Sequence, residues 1–199
     1  MADFTTQKTW KVGDTVSAAD MNTYLRDDTQ YLYDNATLLI DEYDVTTTDI
    51  GKITFDNISA DFSSLELRIW AQGGSTNSSW LNIRANNASS SDSYEAIRYY
   101  CAVTSWCYNL YSLHTQFLYG IELPNQDYAN RAGNTTCRIY GYADANHYTA
   151  LEGVLTWTCS RIAQQYGGSY LSTDVVTRLD IAVGGNYAVG SKVSLYGYK

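Results

Sequence analysis

Beyond residue 45 hydrophobic and polar positions alternate one for one. Ile53 and Phe55 are interleaved with Lys52, Thr54 and Asp56. Leu65, Leu67, Ile69 and Ala71 are interleaved with Glu66, Arg68, Trp70 and Gln72. Leu81, Ile83 and Ala85 alternate with Asn82 and Arg84. Successive side chains of a strand point to opposite faces, so each run predicts a strand with one buried face. Further strands are predicted over 94–103, 114–123, 135–143, 150–163, 175–183 and 191–198. Between them lie Gly73-Gly74-Ser75, Asn86 to Ser90, Pro124-Asn125, Ala132-Gly133-Asn134, Gly167-Gly168 and Gly184-Gly185-Asn186. These compositions favour turns, because Gly and Asn tolerate positive φ and Pro fixes φ at about −65°, as the first corner of a turn requires. Roughly nine strands with such breaks predict a β-sandwich or jelly roll, with an up-and-down barrel as the alternative.

Before residue 45 the period changes. Residues 1–16 read as extended and polar around one anchor, Trp10. Ser17 is a suitable N-cap, and Asp20 stands where a capping box places its acid, close to the positive end of a helix dipole. Met21, Leu25, Leu32, Ala36 and Leu39 then recur at helical spacing, widened by Tyr24, Tyr31 and Leu38. Arg26, Asp27, Asp34 and Asp41 fall on the other side. This pattern predicts one amphipathic helix over 17–41. Leu25, Leu32 and Leu39 keep heptad spacing, but Asp28 and Asn35 occupy the matching inner positions, which weakens a coiled-coil reading. An end helix has few ways to bury its stripe alone, so docking on a partner is the expected use, with folding back onto the sandwich as the alternative. The predicted organisation is a 1–44 anchoring arm and a 45–199 sandwich, a mainly β protein preceded by one helix.

Composition fits that division. Hydrophobic residues make up 45% of the 199, enough for a real core, and charged ones only 17%. The 19 tyrosines favour pleated, half-buried surfaces. A formal net charge of −8 repels phosphate backbones, so no nucleic-acid partner is expected. No apolar run is long enough to predict membrane insertion, and the start MADFTTQKTW lacks the pattern of a secretion signal, which suggests synthesis in a cytoplasm. Cys101, Cys107, Cys137 and Cys159 contain no C-x-x-C pair and read as small buried hydrophobes. Two disulfides would be arithmetically allowed, with their pairing open.

Candidate chemistry is sparse. His114 sits in an aromatic segment and His147 in a loop sequence, and neither belongs to a nucleophile motif. Glu66, Glu95, Glu122 and Glu152 are the carboxylates that could pair for glycoside hydrolysis, though each falls among polar positions expected on a solvated face. No phosphate-cradling loop, calcium loop or zinc ligand set occurs, so no cofactor, metal or catalytic residue is predicted. N-x-S/T triplets at Asn35, Asn57, Asn77, Asn87 and Asn134 read as turn composition. Exposed aromatics are more informative. Trp70 lies on the polar parity of its strand, and Trp80 and Trp106 lie near loop ends with Tyr99, Tyr100, Tyr108 and Tyr111 nearby. Such side chains fill subunit interfaces or stack on sugar rings, and the interface is the favoured reading.

Two segments resemble known families. Trp10-Lys11-Val12-Gly13-Asp14, Val16-Ser17-Ala18-Ala19-Asp20-Met21-Asn22 and Leu25-Arg26-Asp27 resemble the opening of many minor structural proteins of tailed phages, with Met21 where Leu is commoner. Ile53-x-Phe55-x-Asn57-Ile58-Ser59, Leu81-x-Ile83-Arg84-x-Asn86-Asn87 and the closing Gly190-Ser191-Lys192-Val193-Ser194-Leu195-Tyr196-Gly197 resemble a jelly-roll domain of phage tail, fibre and capsid-decoration proteins. That resemblance does not extend through 101–135. The resemblances imply a virion protein that is not an enzyme. It would bind other virion proteins through Trp10, Met21, Leu25, Leu32 and Leu39 and assemble as a homotrimer. A receptor-binding protein for host surface glycan is the second expectation, and a glycan hydrolase the third.

Overall fold

The computed structural model describes residues 13, 15, 17–21, 36–74, 79–90, 93–102, 105–114, 118–124, 132–157 and 163–199, with 20, 21, 79, 97–102, 105–114, 118–122, 157 and 163 described by backbone alone. The described residues form a mainly β protein with two antiparallel sheets. The strands are β1 (Thr37–Asp44), β2 (Lys52–Phe55), β3 (Ser64–Ala71), β4 (Ser79–Ala85), β5 (Tyr94–Ala102) and β6 (Ser105–His114). They continue with β7 (Leu118–Leu123), β8 (Gly133–Tyr140), β9 (Thr149–Trp157), β10 (Ala163–Tyr170), β11 (Leu179–Val183) and β12 (Lys192–Tyr198). The large sheet has eight strands in the order β1-β12-β3-β8-β9-β10-β5-β6, and the small one has four in the order β2-β11-β4-β7. From β1 to β5 the chain changes sheet at every step.

Period-two alternation puts one face of each sheet into a shared core. Leu65, Leu67 and Ile69 of β3, Cys137 and Ile139 of β8, and Val193 and Leu195 of β12 come from the large sheet. Ile53, Phe55, Leu81, Ile83, Leu179 and Ile181 come from the small one, and all of these are buried. In β8 buried and exposed residues alternate without a break.

Crossing between sheets buries backbone groups at the corners, and these need partners. Tyrosine hydroxyls supply them. The Tyr94 hydroxyl of β5 accepts the Ala85 N–H of β4 at 3.0 Å and lies 3.1 Å from the Ala85 carbonyl, joining the sheets. Tyr142 donates to the Ser59 carbonyl at 2.6 Å and accepts the Phe62 N–H at 3.2 Å. Tyr187 donates to the Ile181 carbonyl at 3.0 Å. All three side chains are fully buried, and burial raises each phenol's pKa.

Two glycines sit under aromatic rings. A Cβ at Gly153 of β9 would meet the Tyr166 ring and the Thr136 carbonyl. Tyr166 lies directly across from Gly153 in β10, so the ring fills the space the missing side chain leaves. Gly197 closes β12 beneath Phe62 in the same way, which gives a physical reason for glycine at the end of that run.

The structure departs from the expected elements in several places. Only one helical turn, α1 (Ala18–Met21), is described after Ser17, so the helix expected over 17–41 is not seen. Residues 22–35 lie outside the described residues, and 37–41 belong to β1. There Thr37 to Asp44 pair with Tyr198 to Lys192 across a register shift between Leu39 and Asp41. The large sheet therefore begins at Thr37, inside the segment 1–44 read as an arm. Leu38 and Leu39, which continue the helical stripe in sequence, are strand positions on opposite faces here, Leu38 half-buried and Leu39 exposed. Gly167-Gly168 is strand, not turn, because both glycines are held in register by β9 and β5. The strand expected over 175–183 begins only at Leu179, and that expected over 114–123 divides into the end of β6 and β7.

Tyr94→Phe leaves the buried Ala85 N–H without its partner. We expect a loss of about 1–3 kcal/mol, read in urea unfolding as a lower midpoint at unchanged slope.

Candidate functional site

The outward faces of the two sheets carry the chemistry. On the large sheet the register lines residues up in rows. One row reads Tyr196, Glu66, Arg138, Glu152, Gly167 from β12 to β10. The next reads Ser194, Arg68, Thr136, Val154, Gln165. Trp70 stands beyond Arg68, with Lys192 and Asn134 on its two sides.

Glu66 is the centre of this face. It belongs to the solvent-side parity of β3, yet only 3% of it is exposed. Its Oε1 accepts Arg68 Nε at 2.6 Å. Its Oε2 accepts Tyr198 Oη at 2.7 Å and Arg138 Nε at 3.2 Å. The two guanidinium groups also lie over rings, Arg68 over Tyr196 at 4.3 Å and Arg138 over Tyr198 at 5.4 Å. Burial pulls the Glu66 pKa up, but the hydrogen bonds from Tyr198, Arg68 and Arg138 outweigh it and hold the carboxyl below its ordinary value.

The small sheet repeats the design with Asp180 on β11, 2% exposed. It accepts Thr54 Oγ1 at 2.7 Å and Arg178 Nη2 at 2.9 Å, with Lys52 Nζ at 3.5 Å. Burial again opposes ionisation, and the Arg178 and Thr54 hydrogen bonds with the Lys52 charge prevail, so its pKa is lowered. Both carboxylates are already satisfied and stably ionised. That suits a fixed charged joint and does not suit a general acid.

Beside the Glu66 cluster, a groove of about 520 Å³ runs over β8, β9 and β10. Its walls are Arg138 and Glu152 at one end and Thr136 and Gln165 at the other, with Val154 on the floor between the last two. The Gly153 and Gly167 backbones lie at its floor, and Gly167 leaves it open because it carries no side chain on this face. Tyr140 donates to Glu152 Oε1 at 2.8 Å. Among the described residues no partner is found for the Gln165 side chain, for Glu152 Oε2 or for the Thr136 hydroxyl.

The expected site residues are distributed as follows. Trp70, at 52% exposed, and Leu39, at 53%, both stand out from the large sheet. Trp80, 41% exposed, lies on the outward face of β4 in the small sheet, so the structure does not bring it together with Trp70. The register sets Trp106 of β6 opposite Cys101, but its side chain is outside the described residues, as is that of Met21. Trp10, Leu25 and Leu32 lie outside the described residues altogether.

Among the carboxylates, Glu66 and Glu152 share a face with Arg138 between them, two strand spacings or roughly 10 Å of backbone apart. Glu95 faces Ser169 and Glu122 faces Trp80 in register. His147 is exposed and binds Asp144 Oδ2 at 2.7 Å, while His114 closes β6. Among the described residues no three of His, Cys, Asp and Glu converge to hold a metal ion. Cys137 is a free buried thiol, whose pKa burial pushes up to about 12. The register sets Cys101 opposite Trp106 and Cys107 opposite Tyr100. Asn57 and Asn87 take the positive φ common in turns, 56° and 57°, whereas Asn134, also read as turn composition, lies in β8. Arg138, Val154, Gln165 and Gly167 were not singled out from sequence. The even-numbered positions of 133–140 were a usable signal, but Gly167-Gly168 read as a turn concealed the third strand of the groove.

No family model matches the chain, and no curated protein matches it.

Two outcomes test these electrostatics. The Glu66 pKa is lower in the folded chain than in the unfolded one, so between those values the unfolded state binds more protons and stability rises with pH. This contribution is present above the ordinary glutamate range, about pH 4–5, and is lost as pH falls through the folded value. Glu66→Gln should lower the melting temperature at pH 7 and reduce its further fall between pH 6 and pH 3. Cys137 should resist iodoacetamide in the native protein at pH 8 and react once the chain is unfolded, as read by peptide mass mapping.

Proposed function

We propose that this chain is a structural module of a tailed-phage virion, a capsid-decoration or tail/fibre-associated protein. Its N-terminal segment binds other virion proteins, and its β domain, of jelly-roll type, projects as a homotrimer. The protein is made in the host cytoplasm and ends in the particle. It works by binding and not by catalysis, and no cofactor takes part.

The observation that carries this reading is the closing run Gly190 to Gly197. It resembles the last strand of phage jelly-roll domains, and it supplies β12, the strand between β1 and β3. The repeated change of sheet from β1 to β5 supports a jelly roll, since an up-and-down barrel keeps neighbours in sequence adjacent in space. The arm reading rests on the resemblance of 10–27 to openings of phage structural proteins. Exposed Trp70 and Leu39 on one sheet face and Trp80 on the other suit contacts between subunits, because large aromatics are enriched at such surfaces.

The test is deletion of residues 1–35, which stops short of β1 and so leaves the sheet's edge pairing with β12 in place. We expect a folded protein that no longer joins particles when supplied during phage assembly. Incorporation at the level of the full chain would overturn the anchor. Light scattering of the full chain should return three times the mass of one chain, and a monomer would overturn the trimer.

A further inference from the structure

We infer that the groove over β8, β9 and β10 binds a short neutral oligosaccharide, an activity that goes beyond the assembly role proposed above.

The shape comes first. Gly167, directly opposite Glu152 on the outward face, lacks a side chain and so opens a depression in a sheet face that would otherwise be paved. Tyr166 turns inward to fill the core beneath Gly153, so the floor stays firm while the outer side stays open. Its volume, about 520 Å³, lies in the range of small-ligand sites.

The chemistry of the walls selects the ligand. Glu152 Oε2, the Gln165 amide and the Thr136 hydroxyl keep donor and acceptor capacity that no group among the described residues uses. A carboxylate and a primary amide each offer two polar atoms side by side, the arrangement that takes neighbouring hydroxyls of one sugar ring. Val154, 44% exposed, and the two glycine backbones give an apolar floor for the C–H face of that ring. Arg138 is fixed by Glu66 behind it and so forms a rigid wall.

Other ligand classes fit less well. β8, β9 and β10 are each paired on both sides, so no free strand edge invites a peptide. Arg138 is the sole cation among the described lining residues, and Glu66 and Glu152 flank it. An anionic ligand or a phosphate would therefore meet carboxylates. A purely apolar ligand would have to desolvate Arg138 and Glu152 without replacing their hydrogen bonds.

The experiment is saturation-transfer NMR on the full chain with cellobiose, maltotriose and chitotriose at millimolar concentration. We expect transfer to the ring protons of at least one of them. Gln165→Ala removes an exposed side chain with no partner among the described residues, so the fold stays intact. It should weaken binding by about three- to tenfold, the effect of one lost hydrogen bond. Val154→Lys lays a charged chain across the floor and should abolish transfer. Trp80→Ala, on the other sheet, should leave binding unchanged. The proposal is overturned if the folded wild-type chain gives no transfer with any of the three sugars, or if transfer survives both groove variants. Neither result bears on particle incorporation, so the assembly role stands or falls separately.

Discussion

A buried backbone group must find a hydrogen-bond partner, and this fold keeps creating such groups by moving its chain from one sheet to the other. Each crossing takes residues out of a ladder while they are still covered by the core. The chain meets the demand with phenols. Tyr94 reaches from β5 to the end of β4 and Tyr142 closes the corner between Ser59 and Phe62, while Tyr187 serves the Ile181 carbonyl inside β11. A tyrosine suits such corners because its ring adds to the core while its hydroxyl serves the backbone. Three of the largest fully buried side chains are these tyrosines, which explains part of an unusual tyrosine content in terms of stability alone.

The same rule governs the outward faces, where it acts on charge. Glu66 and Asp180 are screened from water by their own cross-strand neighbours. Each would be costly if its partners did not surround it. Because Arg138 is held by Glu66, it cannot swing freely over β9, and the groove keeps its outline. The fixed ion cluster and the open groove are thus one construction: the first supplies the wall of the second.

Much of the β character was legible along the chain. The alternation at 52–55, 64–71, 79–85 and 192–198 gives the right strands and the right inward residues, since a period-two pattern is a local property. What was not legible depends on neighbours in space. Leu38 and Leu39 continue a helical stripe on paper, but pairing with β12 makes them strand residues. Gly167-Gly168 has the composition of a turn, and only the flanking β9 and β5 hold it extended. Glu66 has the parity of an exposed residue, and no sequence rule reveals that Arg138 and Tyr198 cover it. For the candidate site, Trp70 was found from its parity, whereas the groove was missed because three separate strands form it.

The pairing of β1 with β12 sets the order of events during synthesis. Thr37 waits for Tyr198, so the first described strand has no ladder until the last one leaves the ribosome. At roughly 5–20 residues per second, that interval lasts on the order of ten to thirty seconds. Throughout it the apolar half of β1, Leu38 to Ile40, stands exposed, followed within the same strand by Asp41, Glu42 and Asp44. Those charges are well placed to keep nascent chains from pairing with one another before each can close its own sheet.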